Sequence, residues 1–584
     1  MRTDTDLKEL RVAVTGGTSG LGLALVQLLS ARGASVAFVA RTARAVERTA
    51  CETGAYGIVG DVGRKDDIYP IALQITGNLS GLDVLINNAS SLGPTPLAPL
   101  GDTDCEELEQ ALAVNFLGPF RLTKALLGAL AASARAGRGA VVINISSDAA
   151  VNPYSGWGAY GASKAALRHL TLIWAEEVKP DGIYLLSIDP GDMDTPLHAE
   201  AVPGADPMAL RRPEAAAGEV VETMLATLPG GYQASCRGGP MIAADHPNRR
   251  SSKLLTVNPT GGMRHMPRTE LASLFRPGDL VIANDAATLP ASLHGTHHAS
   301  GEPIEVRLAA WVSLHDPTRF TVVAFGRGDH RTRTEDRPLP PSFSPGDRLL
   351  LGPLVAVIER LLDHPRLLTI RFLSNREAVL SGLARHGRPI QYAHVPDPLN
   401  LWDVWTNIAA DPAAFEPPSA GFALDWRTIA AWRQRGISLV TLTHASGISS
   451  TGDPALDQRL PFDEPYCIPE MTAAAIKQAK SEGGRIIAIG TTVVRALESA
   501  AITDGHVRPG YGVASGRIGR DTRLHVVDTI LTGVHEPGNS HFELLRSFAG
   551  TDLLNDILAA FREHGYRTHE FGDSMLIERQ ARMQ

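Results

Sequence analysis

Cysteine is scarce in this chain. Cys51, Cys105, Cys236 and Cys467 are widely separated and lack the paired spacing of a metal site. That excludes a disulfide framework, implies no metal, and makes a reduced cytoplasm the expected setting. Long apolar runs are missing as well. None reaches the ~18 residues of a membrane span, and the opening Met1-Arg2-Thr3-Asp4-Thr5-Asp6 holds no signal-peptide apolar segment. No membrane partner is expected. Nor is positive charge in excess: residues 1–235 hold 18 Lys and Arg against 26 Asp and Glu, and residues 236–584 hold 37 of each. Neither half reads as a strongly basic nucleic-acid binder. The densest basic run, His246 to Lys253, reads as a local RNA patch or as a solvated linker.

At 584 residues the chain exceeds what one hydrophobic core supports, so two or three domains are expected. Its 44% apolar and 20% charged residues are ordinary for a folded globular protein. No internal repeat is present. The turn-rich stretch from Pro229-Gly230-Gly231 to Arg237-Gly238-Gly239-Pro240 divides the chain into expected domains 1–235 and 236–584.

In the first domain, Arg11-Val12-Ala13-Val14 reads as a buried strand running into Thr15-Gly16-Gly17-Thr18-Ser19-Gly20-Leu21-Gly22 and then an amphipathic helix. Glycines at such a turn let the backbone approach a dinucleotide pyrophosphate at a helix N-terminus. A second buried strand, Val141 to Ile145, ends in the hydroxyls of Ser146 and Ser147. Tyr160 and Lys164, four apart, share one helical face, so an ammonium would sit beneath a phenol. That placement is expected to lower the Tyr pKa from about 10 and make it a usable proton donor or acceptor. The strand Ser35 to Ala40 ends at Arg41 with no acid. An acid there would bind a ribose 2′-hydroxyl, whereas Arg41, with Arg44 nearby, suits a 2′-phosphate; the alternative is a solvated arginine.

Together these pieces resemble the classical short-chain dehydrogenase/reductase family over roughly residues 7 to 230. The resemblance implies a Rossmann-type doubly wound parallel sheet, NADP(H) as cofactor, and a homo-oligomer formed through this half. By the same resemblance, Gly16, Thr18, Ser19, Gly20 and Gly22 cradle the dinucleotide. Asp61 and Val62 contact adenine, and Asn88 belongs to the Asn-Asn-Ala strand end, where Ser90 replaces the usual Gly. Pro190, Gly191 and Thr195 hold the carboxamide. Asn115, Ser147, Tyr160 and Lys164 form the catalytic tetrad, with Asn115 ordering a relay water.

The second half has a different rhythm. Leu280 to Ala283 reads as a buried strand leading into Asn284-Asp285, and from about 303 to 395 short strand-like runs separated by Pro, Gly and Asp suggest an inserted small β-barrel. Strand and helix then alternate again. Gly484 to Gly490 is a buried strand, and Val493 to Ala501 a helix opened by Thr491-Thr492. Hydroxyls and free amides at a helix N-terminus make an anion-binding corner. Arg495 and Glu498, three apart, read either as part of that corner or as a surface ion pair.

The run from Gly484 to Ser499 closely resembles the signature of S-adenosylmethionine:tRNA ribosyltransferase-isomerase, of queuosine biosynthesis. Asn284-Asp285 with Leu289-Pro290-Ala291, Pro418 to Phe422, and Phe571 to Ile577 resemble further segments of that family, in order. The resemblance covers about residues 241 to 580. It implies an α/β domain carrying the barrel, with S-adenosylmethionine as substrate. Thr491, Thr492 and Arg495 would bind its methionine carboxylate, Glu498 would belong to the same S-adenosylmethionine site, and Asp573 would bind its adenine or ribose. His535 and His541, with Glu536, would accept protons. This chain departs from the pattern as an actinobacterial-type variant does: Ala286-Ala287 stand where Thr-Arg is usual, Ala423 replaces a His, and Glu536 and His541 are new. The lost Arg and the balanced charge disfavour tRNA and favour a small-molecule acceptor. The fusion therefore reads as a bifunctional biosynthetic enzyme. Its rivals are a tRNA-modifying enzyme with an attached reductase, and a reductase with a non-catalytic RNA-binding or scaffold half.

Overall fold

The computed structural model describes all residues except 1–6, 207, 209, 229–251, 315, 394, 396, 449, 452, 458, 502–505, 536–539, 568–571 and 581–584. Cys236, the turn-rich boundary, the basic run up to Ser251, Glu536 and Phe571 lie outside the described residues. The chain divides into two compact units, Met1–Pro240 and Met241–Gln584.

The first unit is built on six strands: β1 (Arg11–Thr15), β2 (Ser35–Ala40), β3 (Tyr56–Val59), β4 (Val84–Asn87), β5 (Ala140–Ile145) and β6 (Ile183–Ile188). All pair in parallel, in the order β3-β2-β1-β4-β5-β6. Buried on both faces, β4 and β5 are near-continuous apolar runs, as helix-covered parallel strands must be. The strand order reverses between β1 and β4, and such a switch point leaves a crevice at the carboxyl ends of the strands. This is the expected Rossmann-type sheet.

Two local features position the site. The helix Cys105–Leu112, opened by a capping box between Asp104 and Glu107, runs into a π-helical turn, Ala113–Leu117, before the helix Gly118–Arg135. Asn115 sits in that turn, fully buried; such turns concentrate at functional sites. At the opposite end of the sheet, buried Asp83 joins β1 to β4. Its carboxylate accepts from Arg11 Nη2 at 2.7 Å and from Arg138 Nη2 at 2.9 Å. Burial pushes its pKa up, but the two guanidinium groups outweigh this and hold it at about 2.

The second unit contains a nine-stranded mixed sheet and a closed barrel. Its strands are β7 (Lys253–Val257), β8 (Met263–Pro267), β9 (Leu280–Asn284), β10 (Ala286–Thr288), β11 (Ser292–His297), β12 (Pro303–Trp311), β13 (Arg319–Phe325), β14 (Arg348–Leu351), β15 (Leu354–Leu361), β16 (Leu367–Phe372), β17 (Asp411–Ala414), β18 (Ser438–His444), β19 (Glu464–Ile468), β20 (Ile486–Ile489), β21 (Gly510–Ala514), β22 (Thr529–Gly533) and β23 (Ser574–Glu578). The sheet runs β21-β19-β18-β9-β20-β22-β23-β7-β8, and its four central strands, β18, β9, β20 and β22, are parallel.

The barrel closes as β11-β12-β13-β16-β15-β14. It begins at Ser292, ahead of the expected residue 303, because β11 pairs with β12 on one side and β14 on the other. Inside, Glu305 is ionised: burial opposes the charge, but Arg307 and Arg337 hold its pKa at about 2.

Asp83 gives the first test. Its folded pKa lies below the ordinary 3.8, so it contributes stability above the unfolded value that is lost as pH falls through about 2. Asp83→Ala leaves two guanidinium groups facing an empty site and should cost about 3–5 kcal/mol in denaturant unfolding at pH 7. The deficit relative to wild type should shrink in acid.

Candidate active sites

In the first unit a cavity of about 490 Å³ lies at the carboxyl ends of the strands. Two glycines form its floor. Gly16 has φ +72°, and a Cβ on Gly22 would stand 2.1 Å from the Gly16 carbonyl oxygen. Asn88 locks this turn to β4: its Nδ2 donates to Thr15 O at 2.9 Å, and its backbone N–H donates to Thr15 Oγ1 at 3.0 Å. The cavity is lined by the expected Gly16, Thr18, Ser19, Gly20, Gly22, Arg41, Asp61, Val62, Asn88, Ser147, Tyr160, Lys164, Pro190, Gly191 and Thr195. Asp61 Oδ1 accepts from Gly63 N at 2.9 Å, and Thr195 Oγ1 caps its helix by accepting from His198 N at 3.2 Å. Arg41 is exposed at the rim; Arg44 is not part of the lining. A side-chain-free cradle at a helix N-terminus is what a dinucleotide pyrophosphate requires, so these residues fit one.

Two features of the proton-handling group emerge only from the fold. First, the Tyr160 phenol is raised above its ordinary value, not lowered. Burial pushes the phenol up, partly offset by hydrogen bonds to the Ser147 and Ser90 hydroxyls. The Lys164 ammonium lies 5.6 Å from the Tyr160 ring centroid and donates to Ile145 O at 2.8 Å. Its own burial pulls it down to about 8. Second, the Asn115 side chain is a brace. Its Oδ1 accepts from Ser91 N at 2.8 Å and Ser90 Oγ at 3.2 Å, while its Nδ2 donates to Ser91 O at 2.7 Å and Ser163 Oγ at 2.8 Å. With those four bonds made, the amide positions the Ser90–Ser91 segment and the tyrosine helix. Ser90, read in the sequence only as a departure from Gly, therefore links Asn115 to Tyr160.

In the second unit, Gly490 at φ +97° turns β20 into the helix Thr491–Ala500. A cavity of about 370 Å³ opens there, and Ser419, Ala420, Gly447, Glu464, Thr491, Thr492, Arg495, Arg517, Thr532, His535 and His541 line it. Thr491 Oγ1 and His541 Nδ1 are 2.8 Å apart, as are Thr532 Oγ1 and His535 Nε2. The two imidazoles stack, with centroids 4.9 Å apart. Asn284 knits this corner together: its Oδ1 accepts from His444 N at 2.9 Å, and its Nδ2 donates to His444 O at 3.0 Å.

Three expected ligand-binding residues have other partners. Arg495 faces the buried carboxylate of Glu464 and donates to Ala514 O at 3.0 Å. Its guanidinium therefore meets a protein carboxylate where a methionine carboxylate was expected. Glu498 accepts from the backbone N–H groups of His525, Val526 and Val527 at 2.6, 2.9 and 2.9 Å. Asp573 accepts from Lys253 N at 2.6 Å and Arg567 N at 2.8 Å. Neither acid lines the cavity; both clamp backbone.

Glu464 and Arg517 were missed in the sequence, as was His444, which lies behind the wall. A signal existed for Glu464. In β19 it shares the inward register with Tyr466 and Ile468, and an acid in an inward position asks for a reason.

Residues 240–577 match the family described as queuosine biosynthesis protein, and residues 11–206 match short chain dehydrogenase. An S-adenosylmethionine:tRNA ribosyltransferase-isomerase of Rhizobium rhizogenes is 31% identical over 343 residues, covering 57% of this chain and 93% of that protein. One from Gluconacetobacter diazotrophicus is 31% identical over 351 residues, covering 58% and 94%. Among solved structures, the S-adenosylmethionine tRNA ribosyltransferase of Thermotoga maritima covers 57% of this chain and 94% of its own, at 21% identity and TM-score 0.30. A short chain dehydrogenase of Burkholderia cenocepacia in complex with NADP covers 39% and 94%, at 26% identity and TM-score 0.35.

The reassigned Glu498 is testable. Glu498→Ala strips three backbone N–H groups of their acceptor and should lower unfolding stability by about 2–4 kcal/mol. Ligand affinity of the folded fraction should stay unchanged, as read by denaturant unfolding beside calorimetry.

Proposed function

The chain belongs to the queuosine biosynthesis protein family and carries a short-chain dehydrogenase domain ahead of the matching segment; on that premise we propose a bifunctional biosynthetic enzyme. One half is an NADP(H)-dependent carbonyl or alcohol oxidoreductase. The other uses S-adenosylmethionine as substrate for ribosyl transfer or isomerisation, toward a small-molecule acceptor or within S-adenosylmethionine itself. The observation that carries this reading is the second unit's cavity, where Thr491, Thr492, Arg495, His535 and His541 of the matching segment share one wall.

In the first unit, a bound nicotinamide supplies or accepts the hydride. Ser147 orients the substrate oxygen, and Tyr160, in hydrogen-bond contact with it, gives or takes the proton there. Lys164, buried beneath the phenol, keeps a positive charge near that proton below a pH of about 8. Arg41, exposed at the cavity rim, supports the choice of NADP(H). The exposed apolar pair Leu172 and Ile173 on the helix Gly158–Val178 supports homo-oligomerisation through this unit.

In the second unit, the positive sulfur of the substrate acidifies the adjacent ribose carbon and makes methionine a good leaving group. His535 and His541, each held by a threonine hydroxyl, serve as proton acceptors. The amides and hydroxyls of Thr491 and Thr492 at the helix N-terminus suit the substrate carboxylate. Linking two sites in one chain raises the effective concentration of an intermediate passed between them. Among the described residues no helix is long and apolar enough to cross a membrane.

A tRNA acceptor is the second reading, favoured by the similarity to S-adenosylmethionine:tRNA ribosyltransferase-isomerases. The equal count of 37 basic and 37 acidic residues in 236–584 and the Ala286-Ala287 pair weigh against it.

Two measurements test the proposal. Arg41→Ala should weaken NADPH about tenfold or more, by removing a charge-assisted contact, and leave NADH nearly unchanged. Equal weakening would make Arg41 a solvated side chain. Incubation with S-adenosylmethionine should release adenine and methionine without RNA. Release only with added tRNA would hand the acceptor to RNA, and no release under either condition would leave the second unit as a scaffold.

A further inference from the structure

Behind the helix N-terminus of the second unit lies a buried charged group centred on Glu464. Glu464 opens β19, and its side chain reaches the cavity wall while remaining almost wholly buried. Its Oε1 accepts from Gly447 N at 2.6 Å, and its Oε2 is paired with Arg495 Nη1. His444 Nε2 stands 3.5 Å from the same Oε2. His444 is fully buried, and neither ring nitrogen has a hydrogen-bond partner among the described residues. Burial, reinforced by the neighbouring Arg495 charge, pulls its pKa to about 3, so it is neutral and adds no positive charge.

The balance of this group differs from that of Asp83 and Glu305, two other buried carboxylates. Asp83 has two arginines and sits at about 2, as does Glu305 with two arginines. Glu464 has one, and burial pushes its pKa up despite Arg495. A carboxylate with a single guanidinium and a backbone amide is under-compensated for its degree of burial. It also faces a cavity of about 370 Å³. A cation entering that cavity would supply the missing compensation, in a medium where such an attraction is much stronger than in water.

Resting on the reading of S-adenosylmethionine as substrate, we propose that Glu464 reads the positive charge of the sulfonium, and that Arg495 acts through Glu464 by fixing its carboxylate rather than by touching substrate. Arg495 is then a positioning residue. The arrangement also gives the site a means of product release. Once the sulfonium has become a neutral thioether, or methionine has left, the attraction to Glu464 is gone.

The test compares two ligands differing by that charge, S-adenosylmethionine and its neutral thioether analogue S-adenosylhomocysteine, by calorimetry on the full chain. Wild type should prefer the sulfonium. Glu464→Gln should weaken S-adenosylmethionine by about tenfold or more and change the thioether by less than about twofold. Glu464→Asp, which keeps the charge, should retain the preference. The double variant Glu464→Gln, Arg495→Met restores neutrality without the carboxylate, and the preference should stay lost. Its return there would show that the uncovered arginine, not the missing carboxylate, caused the loss, and would overturn the proposal. So would equal weakening of both ligands by Glu464→Gln, or loss of both. A wild type that binds neither ligand would remove the S-adenosylmethionine reading itself, a result distinct from those.

Discussion

A buried parallel strand that runs straight into a helix must turn within a few residues, and this chain does so at a glycine of positive φ in both units. In the first unit Gly16 (φ +72°) and Gly20 (φ +50°) carry β1 into its helix; in the second, Gly490 (φ +97°) carries β20 into the helix Thr491–Ala500. A side chain is strained at such angles. The turn aims a helix N-terminus at the carboxyl edge of a parallel sheet, which concentrates unsatisfied N–H groups and a positive partial charge where a ligand can reach them. Both cavities form at these corners. The remaining polar chemistry is arranged around them.

The two corners are completed differently. In the first, hydroxyls dominate: Ser90 and Ser147 both bond the Tyr160 phenol, and Asn115 fixes Ser90 from a π-helical turn. Burial raises the phenol, so the serines, more than the lysine beneath, counter that rise. In the second, charge dominates. Glu464, Arg495 and neutral His444 form a buried group behind a pair of stacked imidazoles. The first corner suits proton exchange on a neutral substrate oxygen, and the second suits a cationic substrate.

Much of this was legible in the residues because it is local. Thr15 to Gly22, the Tyr160–Lys164 spacing and Gly490-Thr491-Thr492 each lie within one strand-turn-helix passage, so their order in sequence is their order in space. The barrel was legible from short runs between turns, except for β11, whose His294, Gly295, Thr296 and His297 carry no apolar run and which becomes a strand by pairing on both sides. What local reading could not supply is what the sheet order brings together. Residues 444, 464 and 495 meet because β19 pairs with β18 on one side and β21 on the other, and the helix after β20 packs against those two neighbours. Glu498 and Asp573 were misread for the complementary reason. An acid near a signature motif resembles a ligand, whereas here each satisfies backbone N–H groups from distant segments. The four-residue spacing puts Lys164 near the Tyr160 ring, but the burial that lowers its own pKa and the carbonyl of Ile145 that accepts its hydrogen bond are properties of the folded sheet.

The proposed function requires one chain to carry two ligand sites, for a dinucleotide in the first unit and for a sulfonium nucleoside in the second. The decisive experiment is calorimetric titration of the full chain with NADPH, with S-adenosylmethionine, and with each in the presence of the other. About one equivalent of each should bind per chain, with neither displacing the other. Mutual displacement, or a chain that binds one of the two and never the other, would contradict it.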